Sequence, residues 1–322
     1  MNYIVVDFEW NQSPYGKGTS KKYLPFEIIE IGAVKLDDHR QYLESFSAVI
    51  KPKVYKRLHY VTRELTGISN NELRNGEQFS HAIVDFMLWC GDEYMFCTWG
   101  NTDLIELQRN MKYYRLDDLL KGPIKYYNVQ KLFRKLYTDD DTAVNSLEAV
   151  VEYFNIEKQD EFHRAICDAK YTAAIFAKMD MEKAKKLYTV DYFQNPKTKK
   201  DEIDLTYEDY NKHISREFAT REEAIADRDL RKTKCYRCGK TAMKKIRWFA
   251  GKNRAYYCLA KCPLHGYIRG KIRLKKTDDD RFFAVKTLRL IDEEKAQAIY
   301  DLKKEIILKR KEKRCKDISH NC

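Results

Sequence analysis

The run YIVVDFEW, residues 3–10, sets two carboxylates two positions apart in an otherwise apolar, β-rich stretch. Side chains alternate along a strand, so Asp7 and Glu9 project to one face, while Val6 and Phe8 point to the other, buried one. Two carboxylates leaving an apolar strand together are expensive to keep unless cations neutralise them. Hard divalent ions such as Mg²⁺ or Mn²⁺ suit oxygen ligands of this kind. By itself the D-x-E pair is a weak signal, because surface strands often carry alternating acids.

Two later segments add to it. Asp103 in WGNTDLIEL falls near the start of a helical pattern that follows an apolar strand, where an acid also serves as a cap or complements the helix dipole. His163 and Asp168 stand five apart in EFHRAICDAKYTA. Asp168 begins a helix whose small residues Ala169, Ala173, Ala174 and Ala177 permit close packing on a sheet. His163 lies in the approach to that helix, and an imidazole of ordinary pKa can accept a proton from a water at neutral pH. Four carboxylates and one imidazole, spread over three segments, are the side chains that metal-assisted phosphodiester hydrolysis uses.

Around these residues the chain alternates strand and helix signals. EIIEIGAVKL and SFSAVIKP read as second and third strands, YMFCTWG as a fourth. Helical spacing occurs around residues 63–73, 81–90, 102–114, 129–136, 146–153 and 165–179. The pattern predicts an α/β domain, a sheet flanked by helices, over residues 1–187. Residues 188–231 turn polar and read as a partly helical connector. Residues 232–322 read as a small β domain ending in a helix.

The charge is divided in the same way. Residues 231–322 hold 28 Lys and Arg against 10 Asp and Glu, a balance of +18, leaving 33 against 39, or −6, for residues 1–230. A block of this sign attracts a polyanion. Of the nine cysteines, Cys90, Cys97 and Cys167 lie singly in apolar stretches as buried thiols, and Cys235 and Cys238 form a C-x2-C knuckle. CLAKCPLHG brings Cys258, Cys262 and His265 some twenty residues later. Cys235, Cys238, Cys258 and Cys262 are the preferred set for one structural Zn²⁺, with His265 as the substitute ligand. Lys244, Lys245, Arg247, Arg254, Arg269, Lys271 and Arg273 are interleaved with aromatic residues, a composition suited to the phosphates and bases of single-stranded nucleic acid. No membrane span and no secretory signal are expected, and the thiols fit a reducing cytoplasm.

VVDFEW, TWGNTDLIEL and HRAICDAKYTA resemble the three exonuclease motifs of the DnaQ-like, RNase H-like superfamily in its DEDDh branch, and YVTRELTGIS resembles the segment that contacts the terminal nucleotides. The WG-x2-D form of the second motif is most similar to the Eri-type and KapD-like RNA exonucleases. The resemblance implies a mixed five-stranded sheet flanked by helices, joined here to a zinc-ribbon-like domain. It implies that Asp7, Glu9, Asp103 and Asp168 hold two Mg²⁺ or Mn²⁺ ions, with His163 as general base. It also implies that Leu65, Gly67 and Ile68, with Phe8 and Trp10 of the first motif, contact the 3′-terminal nucleotide. Many relatives have Thr where Trp10 stands, and this Trp either stacks on a base or packs in the core. The activity implied is a metal-dependent 3′–5′ exonuclease on single-stranded RNA ends, releasing nucleoside 5′-monophosphates. The alternatives are a DNA exonuclease of repair or proofreading and a catalytically silent nucleic-acid-binding protein.

Overall fold

The computed structural model describes residues 1–15, 19–138, 145–158, 162–251 and 254–319, with side chains only as far as residue 312. Within the polar, Gly-bearing stretch of residues 11–22, residues 16–18 lie outside the described residues, as do the side chains of residues 313–316 in the basic stretch 309–316. The chain divides into two compact units, Met1–Gln194 and Asn195–Cys322.

In the first unit, β1 (Asn2–Gln12), β2 (Phe26–Leu36) and β3 (Tyr42–Val49) form an antiparallel meander. Three helices follow: α1 (Tyr60–Thr66), α2 (Asn70–Asn75) and α3 (Phe79–Cys90). The helical stretch expected over residues 63–73 is thus two short helices. They part at Gly67, whose φ of 65° closes α1, and Ser69 with Glu72 forms the reciprocal capping box that starts α2. The chain returns through β4 (Tyr94–Thr98) parallel to β1, α4 (Thr102–Tyr113), and β5 (Lys125–Asn128) parallel to β4. Next come α5 (Val129–Tyr137), α6 (Leu147–Tyr153), α7 (Ala165–Lys178), α8 (Met181–Ala184) and β6 (Thr189–Val190). The mixed sheet runs β3-β2-β1-β4-β5-β6 and so has six strands rather than the expected five. The sixth is a two-residue strand paired to Lys125 and Tyr126, too short to leave a periodic signal.

β1 lies inside this sheet and divides its side chains between two cores. Ile4, Val6 and Phe8 pack with residues of α3 and α4, such as Phe86 and Leu104. Tyr3 and Val5 pack with residues of α5 and α7, such as Leu132 and Phe176. Asp7 and Glu9 continue the second series, so the acidic pair emerges on the side covered by α7. Further along β2, the buried Glu27 accepts from the N–H groups of Lys53, Val54 and Tyr55 and from the Tyr114 hydroxyl, which secures the loop after β3.

The second unit contains β7 (Ile203–Thr206), β8 (Tyr210–Ile214), α9 (Arg221–Ala226), β9 (Met243–Ala250), β10 (Ala255–Cys262), β11 (Gly266–Lys276), β12 (Phe282–Ile291) and α10 (Glu293–Ser319). Its strands make an antiparallel sheet in the order β7-β8-β12-β11-β10-β9. The polar stretch read as a connector over residues 188–231 supplies β6 to one sheet and β7, β8 and α9 to the other unit. Its acids and amides concealed the hairpin, where Asp204 accepts from Asn211 and faces His213. Among the described residues no helix is long and apolar enough to cross a membrane.

Candidate active site

Asp7 and Glu9 from β1 and Asp168 from the first turn of α7 offer oxygens that all lie within 4.8 Å of one another. Asp103, in the first turn of α4, is buried, and its carboxylate accepts from its own N–H and that of Phe8. It stands outside the close trio but is the foremost of the charges acting on Asp7. Three elements far apart in sequence therefore converge at one end of β1.

The electrostatics are those of an acidic cluster short of positive charge. Burial, followed by Asp103, Glu9, Asp168 and Glu30, holds Asp7 well above the ordinary carboxylate range. Burial also pushes Glu9 up to about 8, with Asp168, Glu30 and Asp103 adding to it and Arg164 opposing. Asp103 is pushed up to about 7 by burial, against the two backbone donors that favour its ionised form. Burial raises Asp168, and His163 draws it back. Each shift reports a carboxylate that gains stability when a cation enters.

His163 precedes α7 in the left-handed region, with φ 69°, and is exposed. Holding a residue other than glycine there costs about 1–3 kcal/mol, so the surroundings must impose it. Its N–H donates to Asp168 Oδ1 at 3.4 Å, which places the histidine beside the carboxylate trio.

The residues expected to contact a terminal nucleotide separate into two groups. Leu65 is 53% exposed, and the left-handed Gly67 has open space where a side chain would stand. Ile68 is fully buried among Ile29, Leu58 and Leu73, and Phe8 is 2% exposed against Phe86. Those two side chains are core, because α1–α2 packs one apolar face on β2 and the even positions of β1 face inward. Only the Phe8 backbone reaches the site, through Asp103. Trp10 is half-buried, its ring tilted against Phe26 at 5.9 Å. Glu30 was not singled out by sequence, and it proves to be a buried acid bonded to Arg164. The signal available was an acid inside the apolar run EIIEIG.

Residues 5–176, more than half of the chain, match the exonuclease family model RNase_T. The chain belongs to this exonuclease family. The probable 3′-5′ exonuclease KapD of Bacillus subtilis is 27% identical over 207 residues, covering 63% of this chain and 94% of that protein. The PolC-type DNA polymerase III of the same organism is 30% identical over 184 residues, which are 57% of this chain and 12% of the polymerase. The 3′-5′ exoribonuclease 1 of Rattus norvegicus is 23% identical, covering 55% of this chain and 53% of that protein. This chain thus spans nearly all of KapD, half of the exoribonuclease and a small part of the polymerase. Among solved structures, the nuclease domain of 3′hExo, a DEDDh family member bound to rAMP, gives a TM-score of 0.49 at 20% identity, over 59% of this chain and 96% of that one.

In the second unit of this exonuclease, Cys235, Cys238, Cys262 and His265 offer ligand atoms within 4.8 Å of one another. Cys258 is not among them, which corrects the preferred set. β10 is extended at roughly 3.3 Å per residue, so its four-residue separation sets Cys258 about 13 Å from Cys262. His265 returns to the cluster through the β10–β11 turn, which Gly266 closes at φ 82°. Cys258 instead lies buried near Thr233 and opposite Gly270, its thiol pushed up to about 11 by burial. Cys238 Sγ and Cys262 Sγ stand 3.6 Å apart, and Cys235 Sγ is 3.5 Å from His265 Nδ1. Tetrahedral ligands about 2.3 Å from Zn²⁺ are separated by roughly 3.7 Å, so this Cys₃His set fits the ion.

The seven expected phosphate-binding cations lie on β11, on β9 and just before β10. Arg269, Lys271 and Arg273 alternate along β11 on the face opposite Ile268, Gly270 and Ile272. Arg289 of β12, which sequence did not single out, pairs directly opposite Arg269 on that face and also meets Asp209 at 3.0 Å. Lys271 lies 5.8 Å from the centre of the Tyr257 ring. Burial and then the neighbouring Arg289 disfavour the charge on Arg269, while burial and then Arg273 and Arg269 disfavour that on Lys271. Lys244, Lys245 and Arg247 are exposed on the edge strand β9, and Arg254 is exposed just before β10.

Proposed function

We propose that the protein is a metal-dependent 3′–5′ exonuclease that trims single-stranded RNA ends and releases nucleoside 5′-monophosphates. The observation that carries this is the meeting of Asp7, Glu9 and Asp168 within 4.8 Å, with Asp103 alongside and His163 at the rim. The KapD and exoribonuclease likenesses support the polarity. Two divalent cations held by the four carboxylates would supply positive charge to the phosphodiester's equatorial and leaving oxygens and acidify the attacking water. His163 takes the proton from that water as it attacks phosphorus. The bond to the 3′ oxygen breaks, leaving a shortened chain with a free 3′-OH. Leu65 and Gly67, with Trp10 nearby, are the accessible residues for the terminal nucleotide.

The second unit, tied by one structural Zn²⁺ at Cys235, Cys238, Cys262 and His265, would hold the strand by its phosphates. Thiolate ligands and free thiols suit a reducing cytoplasm. A DNA substrate is the second reading, and the likeness to part of a DNA polymerase favours it.

The test is a time course on matched 5′-labelled single-stranded RNA and DNA with Mg²⁺ or Mn²⁺, with EDTA, and with Asp7→Ala. A metal-dependent ladder shortening from the 3′ end, faster on RNA and absent in the variant, is expected. Faster loss of DNA selects the second reading. Binding without cleavage of either rejects the nuclease.

A further inference from the structure

β2 stands beside the acidic strand in a register that matters chemically. Gly32 pairs directly opposite Asp7, and Glu30 directly opposite Glu9. Opposed residues of an antiparallel pair share a face, so Glu30 is a further carboxylate beside the trio. It is 1% exposed, and both of its oxygens are engaged. Oε1 accepts from Arg164 Nε at 3.0 Å and Nη2 at 2.7 Å, and Oε2 accepts from the Ala165 N–H at 3.0 Å. Arg164 also approaches Glu72 of α2, at 3.5 Å.

Arg164 is the N-cap of α7, one residue after His163 and four before Asp168. A side chain at Gly32 would lie 2.1 Å from the Ala165 carbonyl carbon and from the Ile166 nitrogen, so the first turn of α7 rests directly on the strand. The bare surface at Gly32 fixes the height of that turn. The carboxylate at Glu30, forked to a guanidinium and to a backbone N–H, fixes its rotation. His163, held at a left-handed φ, inherits its position from this anchorage.

We infer that Glu30 is a positioning residue of the exonuclease reaction: through Arg164 and the Ala165 N–H it sets the start of α7 and so holds the neighbouring His163 over Asp7 and Glu9. The inference rests on the reading of His163 as the base. It makes Glu30 a brace for the site, since its oxygens are committed to Arg164 and Ala165. Lys in place of Arg164 gives a point charge without the planar fork, and fails to restore the brace.

The experiment uses the full chain, Mn²⁺ and the p-nitrophenyl ester of thymidine 5′-monophosphate, a small diester that asks nothing of distant binding surfaces. Glu30→Gln is expected to lower kcat by about 10- to 100-fold with KM within about twofold, as for an interaction that acts only in the transition state. Arg164→Lys should do the same and replaces it as the test variant if Glu30→Gln does not fold by circular dichroism. The deciding measurement is a cycle with His163→Ala: the double variant should be no more than about threefold slower than His163→Ala alone, because the brace acts through the group already removed. Losses that multiply, a rise in KM alone, or an unchanged kcat would overturn the inference. A His163→Ala variant as fast as the wild type removes the base and this inference with it. A wild type that, with metal, neither releases p-nitrophenol nor shortens the labelled RNA or DNA rejects the nuclease reading itself.

Discussion

At the scale of single residues, the acids of the site carry a stability signature that can be read without any substrate. Unfolded, these carboxyls release their protons near pH 4. Folded and free of metal, Asp103 and Glu9 retain theirs up to about 7 and about 8. In that interval the folded chain binds more protons than the unfolded one, so its stability falls as pH rises. Calorimetry in EDTA should show Tm declining between pH 5 and 8. Saturating Mn²⁺ should remove the decline, and Glu9→Gln should reduce it. A flat metal-free profile would mean that these acids are solvated in solution. That Asp7, Glu9, Asp103, His163 and Asp168 belong together was legible in sequence, from their residue types in three short motifs, and the structure brings them to one end of β1. The burial of Phe8 and Ile68 was not legible, because contact with a nucleotide depends on which face of a strand or helix turns to the core.

At the scale of elements, the cysteine cluster separates reach along a strand from reach around a turn. His265→Ala should bring bound zinc from about one ion per chain to near none by atomic absorption, since three thiolates leave the tetrahedron open. Cys258→Ala should keep its zinc, because that thiol lies one strand-length away. The opposite result would return Cys258 to the ligand set. The first C-x2-C knuckle was readable from spacing alone. The second pair was ambiguous until the extent of β10 was known, since C-x3-C in a helix or loop would have brought both thiols to one ion. β7 and β8 were concealed for another reason: they are only four and five residues long, and their Asp, Asn and His side chains bond across the hairpin.

At the scale of the whole molecule, a balance of −6 over residues 1–230 and +18 over residues 231–322 separates the chemistry from the attraction. Replacing Arg269, Lys271 and Arg273 together by Gln should weaken oligonucleotide binding by 10- to 100-fold at low salt and lower the salt slope by about two, at roughly 0.7 per phosphate contact for single strands. Fluorescence anisotropy with labelled RNA in Ca²⁺ would read both quantities, and the Gln variants of Lys244, Lys245 and Arg247 on β9 serve as the comparison. Equal losses from the two strands would mean a diffuse field rather than a platform on β11. The convergence of β1, α4 and α7 on one acidic centre has a further consequence during translation. The ribosome releases the Asp7–Glu9 pair early and the helix carrying Asp168 much later, so a nascent chain holds half a cutting centre until α7 emerges. On the proposed mechanism, synthesis itself therefore withholds activity from the unfinished polypeptide.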